Sequence, residues 1–171
     1  ARDQITTKYI LFAGVSFMAE TAAILNLSKK ILIPEPTAGC PLADFLSGEQ
    51  VKKYKAKYPH VPVVVYVNTT ADTKASADLC CTSSNSKKII EYIAEKYDSD
   101  TVLFGPDKNL AEYVQSQTDL NIIAMPGKGC CPRHHMLSLK QLKKVKKEHP
   151  NATILVHPEC KPIIQEAADY I

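Results

Sequence analysis

Two cysteines, several histidines and one acidic residue stand where they could do chemistry. Cys40 lies in Thr37-Ala38-Gly39-Cys40-Pro41, and Cys131 in Gly129-Cys130-Cys131-Pro132-Arg133-His134. A thiolate in a glycine-containing loop before a helix suits a metal or cluster ligand, because backbone amides there stabilise its charge. A single free cysteine is more often a small buried hydrophobe. Here both residues are Cys-Pro at matching points of an internal repeat, and that favours ligands. Neither has Cys-x-x-Cys spacing, so an ordinary structural zinc site is unsupported. Cys80, Cys81, Cys130 and Cys160 have no such counterpart and are read as packing residues or near neighbours of the site.

His157-Pro158-Glu159 ends an apolar run. A histidine and a carboxylate at a strand end suit proton transfer, with Glu159 as the candidate general base and His157 beside it. His134 and His135 are candidates for acid–base or anion contacts. His60 and His149 end helices on the opposite side and are read as surface residues. Thr82-Ser83-Ser84-Asn85 precedes a helix. It reads as a capping cluster and, at the same time, as a place where hydroxyls and free amides meet a phosphate or carboxylate. Lys140, Lys143, Lys144, Lys146 and Lys147 read as a solvated helix face, because no aromatic interleaving or nucleic-acid motif accompanies them.

These residues need a scaffold. Near-continuous apolar runs predict strands over Tyr9–Ala13, Ile31–Ile33, Val61–Val67, Thr101–Phe104, Asn121–Met125 and Thr153–His157. Runs of this kind suit strands covered on both faces. Helical patterns lie between them, such as Ser86–Tyr97 with Ile89, Ile90, Ile93 and Tyr97 on one stripe. Alternating strands and helices imply α/β architecture: parallel sheets with helices on both faces.

The chain repeats itself. Ser47-Gly48-Glu49-Gln50 and Ser138-Leu139-Lys140-Gln141 are both capping boxes, and each opens a Lys-rich helix that runs to a proline, Pro59 or Pro150. Ile10-Leu11-Phe12 matches Val102-Leu103-Phe104, Ala19-Glu20 matches Ala111-Glu112, and Cys40-Pro41 matches Cys131-Pro132. Tyr66-Val67-Asn68 falls where His157-Pro158-Glu159 falls. The period is too long for a solenoid and implies duplicated small α/β domains, with residues 1–59 the latter part of one, 60–150 a whole one and 151–171 the start of a third. Parallel α/β sheets bind ligands beyond the carboxyl ends of their strands. Packed around a common axis, the repeats would bring Cys40 and Cys131 toward one point, and a third cysteine is expected beyond Ile171.

Composition sets bounds. The chain is 45% hydrophobic and 23% charged, with a formal net charge of +3. That excludes a disordered chain and gives no ground for nucleic-acid binding by charge alone. No apolar run nears the roughly 20 residues a membrane span requires. Ala1-Arg2-Asp3-Gln4 does not begin a signal peptide, so the six cysteines are read as reduced thiols in the cytoplasm.

At this point the sequence resembles the quinolinate synthase family. The motifs are Phe12-Ala13-Gly14-Val15-Ser16-Phe17-Met18-Ala19-Glu20-Thr21, Ala38-Gly39-Cys40-Pro41-Leu42-Ala43-Asp44, Tyr66-Val67-Asn68-Thr69, Cys81-Thr82-Ser83-Ser84-Asn85, Gly105-Pro106-Asp107-Lys108-Asn109-Leu110 and His157-Pro158-Glu159-Cys160. They run in order over nearly the whole chain. The resemblance implies three-layer α/β/α domains about a pseudo-threefold axis and one central [4Fe–4S] cluster held by one cysteine per domain. Cys40 and Cys131 match two of these, and the third would follow Ile171. The fourth iron, without a protein ligand, would act as a Lewis acid toward substrate.

The reaction implied is condensation of iminoaspartate with dihydroxyacetone phosphate to quinolinate, phosphate and water. The partners implied are those small anions and an aspartate oxidase or dehydrogenase that supplies iminoaspartate, with neither nucleic acid nor membrane. By motif, Tyr66, Asn68, Ser83, His134, His157 and Glu159 match substrate-contacting positions, with Glu159, His157 and Tyr66 catalytic. The family's N-terminal catalytic His and Tyr and its Gly-Ser-Thr segment match nothing in these 171 residues, which by themselves are expected to be inactive. The competing readings are a non-catalytic anion-binding module, a zinc-dependent hydrolase and, last, a nucleic-acid protein.

Overall fold

The structure, a computed structural model, describes residues 6–171. The opening tetrapeptide, read above for a signal peptide, lies outside the described residues. Among the described residues no helix is long and apolar enough to cross a membrane.

Val63-Val64-Val65-Tyr66 forms β3, and all four residues are buried. Such a run needs cover on both faces, and it has it. β3 lies inside a four-stranded, wholly parallel sheet of order β4-β3-β5-β6, with β4 Leu79–Cys81, β5 Thr101–Gly105 and β6 Asn121–Ala124. Alternate side chains take opposite faces. Val64, Tyr66, Val102 and Phe104 pack with Ile90, Ile93 and Ala94 of α4 (Ser86–Tyr97) and with Leu110, Ala111 and Val114 of α5 (Lys108–Gln115). Val63, Val65, Leu103 and Met125 pack on the other side with Leu46 and with Val51 of α2 (Gly48–Lys57). The result is α/β, with helices on both faces of this sheet. The α4 stripe ends in buried Ala94, while Tyr97 turns out to solvent.

Before this sheet, β1 (Tyr9–Leu11) and β2 (Lys30–Leu32) pair in parallel, joined by α1 (Ser16–Leu25). After it come α6 (Pro132–His135), α7 (Leu139–Glu148) and α8 (Pro162–Gln165). The lysines of α7 are exposed, as a solvated face requires. Both capping boxes form: the Ser47 and Ser138 hydroxyls accept from the amides of Gln50 and Gln141, whose side chains accept from the serine amides.

The repeat recurs in hydrogen bonds. Asp78 accepts from the Val63 amide at 2.8 Å and from Lys55 Nζ at 2.8 Å. Asp169 accepts from the Ile154 amide at 2.8 Å and from Lys146 Nζ at 3.4 Å. Asp78 thereby pins the start of β3 to the end of α2, and Asp169 pins the segment before the Leu155 bridge to the end of α7.

Three expectations need correction. Thr153–His157 is not a strand: it makes one parallel bridge, Leu155 to Tyr170. The Tyr170 amide donates to the Ile154 carbonyl at 3.1 Å and the Val156 amide to the Tyr170 carbonyl at 3.0 Å, which make the bridge, and the Asp169 amide also donates to the Ile154 carbonyl at 3.0 Å. β4 was not anticipated, because Leu79-Cys80-Cys81 is three residues long and has no β-branched side chain. It pairs beside β3, so Cys131, after β6, follows the fourth strand of this sheet in chain order. The short helices α3 (Ala71–Ser76), α6 and α8 were also unseen, because six residues or fewer show too little periodicity.

Candidate active site

Every strand of the main sheet runs the same way, so the carboxyl ends share one edge. Tyr66 ends β3, Ser83 follows β4, Asp107 follows β5 and Cys131 follows β6. Glu159 follows the Leu155 bridge in the same manner.

The centre of this edge is a cluster of Cys131, His134 and Glu159. Their ligand-type atoms all lie within 4.8 Å of one another. His134 Nδ1 stands 2.7 Å from Glu159 Oε2, so one hydrogen lies between them. Glu159 is 2% exposed, whereas the His134 side chain is 36% exposed, so the pair joins a buried carboxylate to solvent. Three residues, Cys131 to His134, put the thiol and the imidazole on one turn of α6, with Pro132 starting the helix.

His157 stacks on His134, with ring centroids 4.9 Å apart and planes 14° apart. The Glu159 amide donates to His157 Nδ1 at 3.2 Å, so the proton of neutral His157 sits on Nε2. Burial, helped by the neighbouring His134 ring, holds His157 below the usual imidazole range against the pull of Glu159. Tyr66 is buried, and its hydroxyl lies near Glu159 and Ser83. Burial first, then the Glu159 carboxylate, push its phenol up. Ser83 and Pro158 also line a cleft of about 360 Å³ with Tyr113 and with Lys87, whose ammonium pairs with Glu91 at 2.9 Å.

Burial, with Glu159 nearby, pushes the Cys131 thiol up, while the amides of Arg133 and His134 pull the other way. The unliganded residue is therefore a thiol at neutral pH. All six cysteines are free. Cys81 is fully packed in the core, where burial pushes it up to about 12, and Cys160 is also buried.

Cys40 does not join the 4.8 Å group. It is half-buried in the loop after β2, and it packs against the same core cluster as Cys131. Asn68 is half-buried two residues past Tyr66. His135 lies beside Asn109 rather than Glu159, with 3.2 Å between Asn109 Nδ2 and His135 Nδ1. His60 and His149 are exposed, as read.

The Thr82–Asn85 cluster caps in an unexpected sense. Asn85 Oδ1 accepts from the Thr82 amide at 2.7 Å, and the Ser86 hydroxyl donates to the Ser83 carbonyl. The turn is thereby closed on itself, and Asn85, at the N-cap of α4, makes no side-chain cap bond to it.

Three supporting residues were not assigned from sequence. Asp107 caps α5 through Oδ1 to the Leu110 amide, while its Oδ2 accepts from the Cys131 amide at 2.9 Å. Burial pushes its carboxyl up to about 6, against these two amides. Asn109 Nδ2 donates to the Glu159 carbonyl at 2.7 Å. Gln165 Nε2 donates to the Pro158 and Cys160 carbonyls. Three consecutive carbonyls are thus held around Glu159. The signal was Asp107-Lys108-Asn109-Leu110, an aspartate three residues before a core leucine, which is an N-cap pattern.

The family model described as "Quinolinate synthetase A protein" matches residues 1–171. A quinolinate synthase of Methanocaldococcus jannaschii is 52% identical over 163 residues, covering 95% of this chain and 52% of that protein. One of Pyrococcus horikoshii is 49% identical over 168 residues, covering 98% and 55%. One of Dehalococcoides mccartyi is 48% identical over 165 residues, covering 96% and 53%. The chain spans about half the length of the curated relatives it matches.

Proposed function

Because this chain belongs to the quinolinate synthetase A family, we propose that it is part of an enzyme condensing iminoaspartate with dihydroxyacetone phosphate to quinolinate, phosphate and water. The observation that carries the reading is the convergence of Cys131, His134, Glu159 and Tyr66 at the carboxyl edge of a parallel sheet in a member of that family. Residues 1–59, 60–150 and 151–171 belong in this reading to three successive α/β domains around a pseudo-threefold axis. An aspartate oxidase or dehydrogenase supplies iminoaspartate, and the enzyme works in the cytoplasm with reduced thiols.

Cys40 and Cys131 are free thiols packed against one core cluster, and thiols are the donors an iron–sulfur cluster takes. They would hold a [4Fe–4S] cluster together with a third cysteine beyond Ile171. When bound, the cluster supplies a Lewis acid for dehydration. Glu159 Oε2 and His134 Nδ1 hold one hydrogen between them and pass it to or from substrate, with His134 giving the route to solvent. His157 keeps the His134 ring in plane by stacking and presents its Nε2–H to substrate. Tyr66, near Glu159 and Ser83, orients the condensing carbon chain, and Asn68 adds an amide contact. Ser83 receives a carboxylate or phosphate at the cleft.

The test is iron and acid-labile sulfide in the full-length parent protein purified without oxygen. About four of each per chain are expected, falling to near zero in Cys40→Ala and Cys131→Ala, together with quinolinate formation from the two substrates. Folded protein without sulfide under those conditions would overturn the reading.

A further inference from the structure

We infer that Cys131, His134 and Glu159 form a mononuclear zinc site, occupied when the chain carries no cluster and closed to zinc when Cys131 is a cluster ligand. Occupancy and exclusivity are separable. The zinc site rests only on the three residues, and the exclusivity rests on the cluster reading above.

The donor set is one sulfur, one nitrogen and one oxygen, the mixture that zinc takes with a fourth position left open. Zinc bonds of about 2.0 to 2.3 Å separate tetrahedral donors by about 3.3 to 3.8 Å. That lies between the 2.7 Å His134–Glu159 separation and the 4.8 Å outer limit of the group. The three donors therefore already stand close to the spacing that one ion requires.

The surroundings are those of a supported metal site. The Cys131 amide is fixed by Asp107, the Glu159 carbonyl by Asn109, and the His134 ring by its stack on His157. His134 is partly exposed, which gives an ion its entry. Zinc outcompetes ferrous iron at such mixed sites, so a chain awaiting its cluster is open to it.

Binding has a definite proton balance. The Cys131 thiol loses its proton to become a thiolate. The hydrogen between His134 Nδ1 and Glu159 Oε2 leaves that line, either for Nε2 of the same ring or for solvent. No electron moves and no other bond breaks.

The test uses full-length protein purified without oxygen and stripped of iron by chelation. It is titrated with Zn²⁺ alone against a competing chromophoric chelator. One ion per chain is expected, unchanged in Cys40→Ala and weakened about 100-fold or more in Cys131→Ser and in His134→Ala. Co²⁺ bound to the unsubstituted protein should show a charge-transfer band of one-thiolate intensity, which needs no variant to fold. Zinc-loaded protein should then take up iron and sulfide more slowly than metal-free protein.

No stoichiometric binding would overturn the site. So would zinc lost in Cys40→Ala but kept in His134→Ala, or a cobalt band of two- or three-thiolate intensity, because the ion would then sit on the cluster thiols. Iron and sulfide in the protein as purified test the cluster reading separately. His134-dependent zinc without sulfide would keep this site and remove the cluster.

Discussion

Glu159 is held from every side before any substrate arrives. Its carbonyl is bonded by Asn109, its amide by the His157 ring, and the carbonyls flanking it by Gln165. Such fixing matters for a general base, because a displacement of about 1 Å can cost about 100-fold in rate. Glu159→Gln keeps shape and hydrogen bonding but cannot take the proton. In the full-length protein it should leave the unfolding midpoint nearly unchanged and lower kcat by about 10²- to 10⁴-fold. Asn109→Ala should act differently. It leaves a buried carbonyl without its donor, costing about 1 to 3 kcal/mol of stability, and lowers kcat by about 10- to 100-fold with KM little changed. A full-rate Glu159→Gln protein would remove Glu159 from proton transfer. At this scale the sequence showed the chemistry-bearing residues, because residue type and strand-end position were enough. It did not show that Glu159 and His134 share a hydrogen, because they come from separate elements 25 residues apart.

Two aspartates do the same work at two places in the chain. Asp78 is the better shielded, with its side chain 19% exposed against 41% for Asp169. Its loss frees a buried strand amide and a lysine together, so Asp78→Ala should cost about 2 to 3 kcal/mol by denaturant unfolding. Asp169→Ala should cost clearly less, because solvent screens it. The bond from the Ile154 amide, then Lys146, holds the Asp169 carboxyl below its usual range. A depressed carboxyl contributes fully above its unfolded pKa and loses that contribution as pH falls through the folded one. The Ile154 amide should therefore keep its protection factor at neutral pH and lose it in acid, and protection that persists would refute the pairing.

Gly129 sets a second element-scale constraint. A Cβ there would collide with the Pro106 carbonyl and stand 3.2 Å from Phe45 Cβ, while its own carbonyl accepts from the Lys108 amide at 2.8 Å. Gly129→Ala should shift the loop carrying Cys131 and cost about 1 to 3 kcal/mol as overpacking, read as a lowered Tm. Capping boxes and long apolar strands were legible because their signals are local. β4 and the Thr153–His157 segment were not, because each depends on what lies beside it.

Across the whole molecule, repeat-equivalent positions differ sharply in cover. Val64 is 0% exposed, whereas Leu155, its counterpart in the later repeat, is 73% exposed. Leu103 is 0% exposed, whereas Leu11, its counterpart in the earlier one, is 68% exposed. The same kinds of side chain at the same places in the repeat are core in the middle sheet and surface on either side of it. Apolar strand residues need a second layer, and their burial is worth roughly 1.5 to 3 kcal/mol each. The relatives are about twice as long as this chain, which is enough sequence to supply that layer. The 171 residues expressed alone should therefore bind a hydrophobic-surface dye more strongly, per chain, than the full-length parent. Amide exchange of Leu155 itself, whose neighbours Ile154 and Val156 are bonded to Asp169 and Tyr170, should be fast in the isolated chain and slow in the parent. Equal dye binding and equal exchange would mean that these leucines face solvent in the whole protein too, and the proposed arrangement of three domains around a common axis would then lose its physical basis.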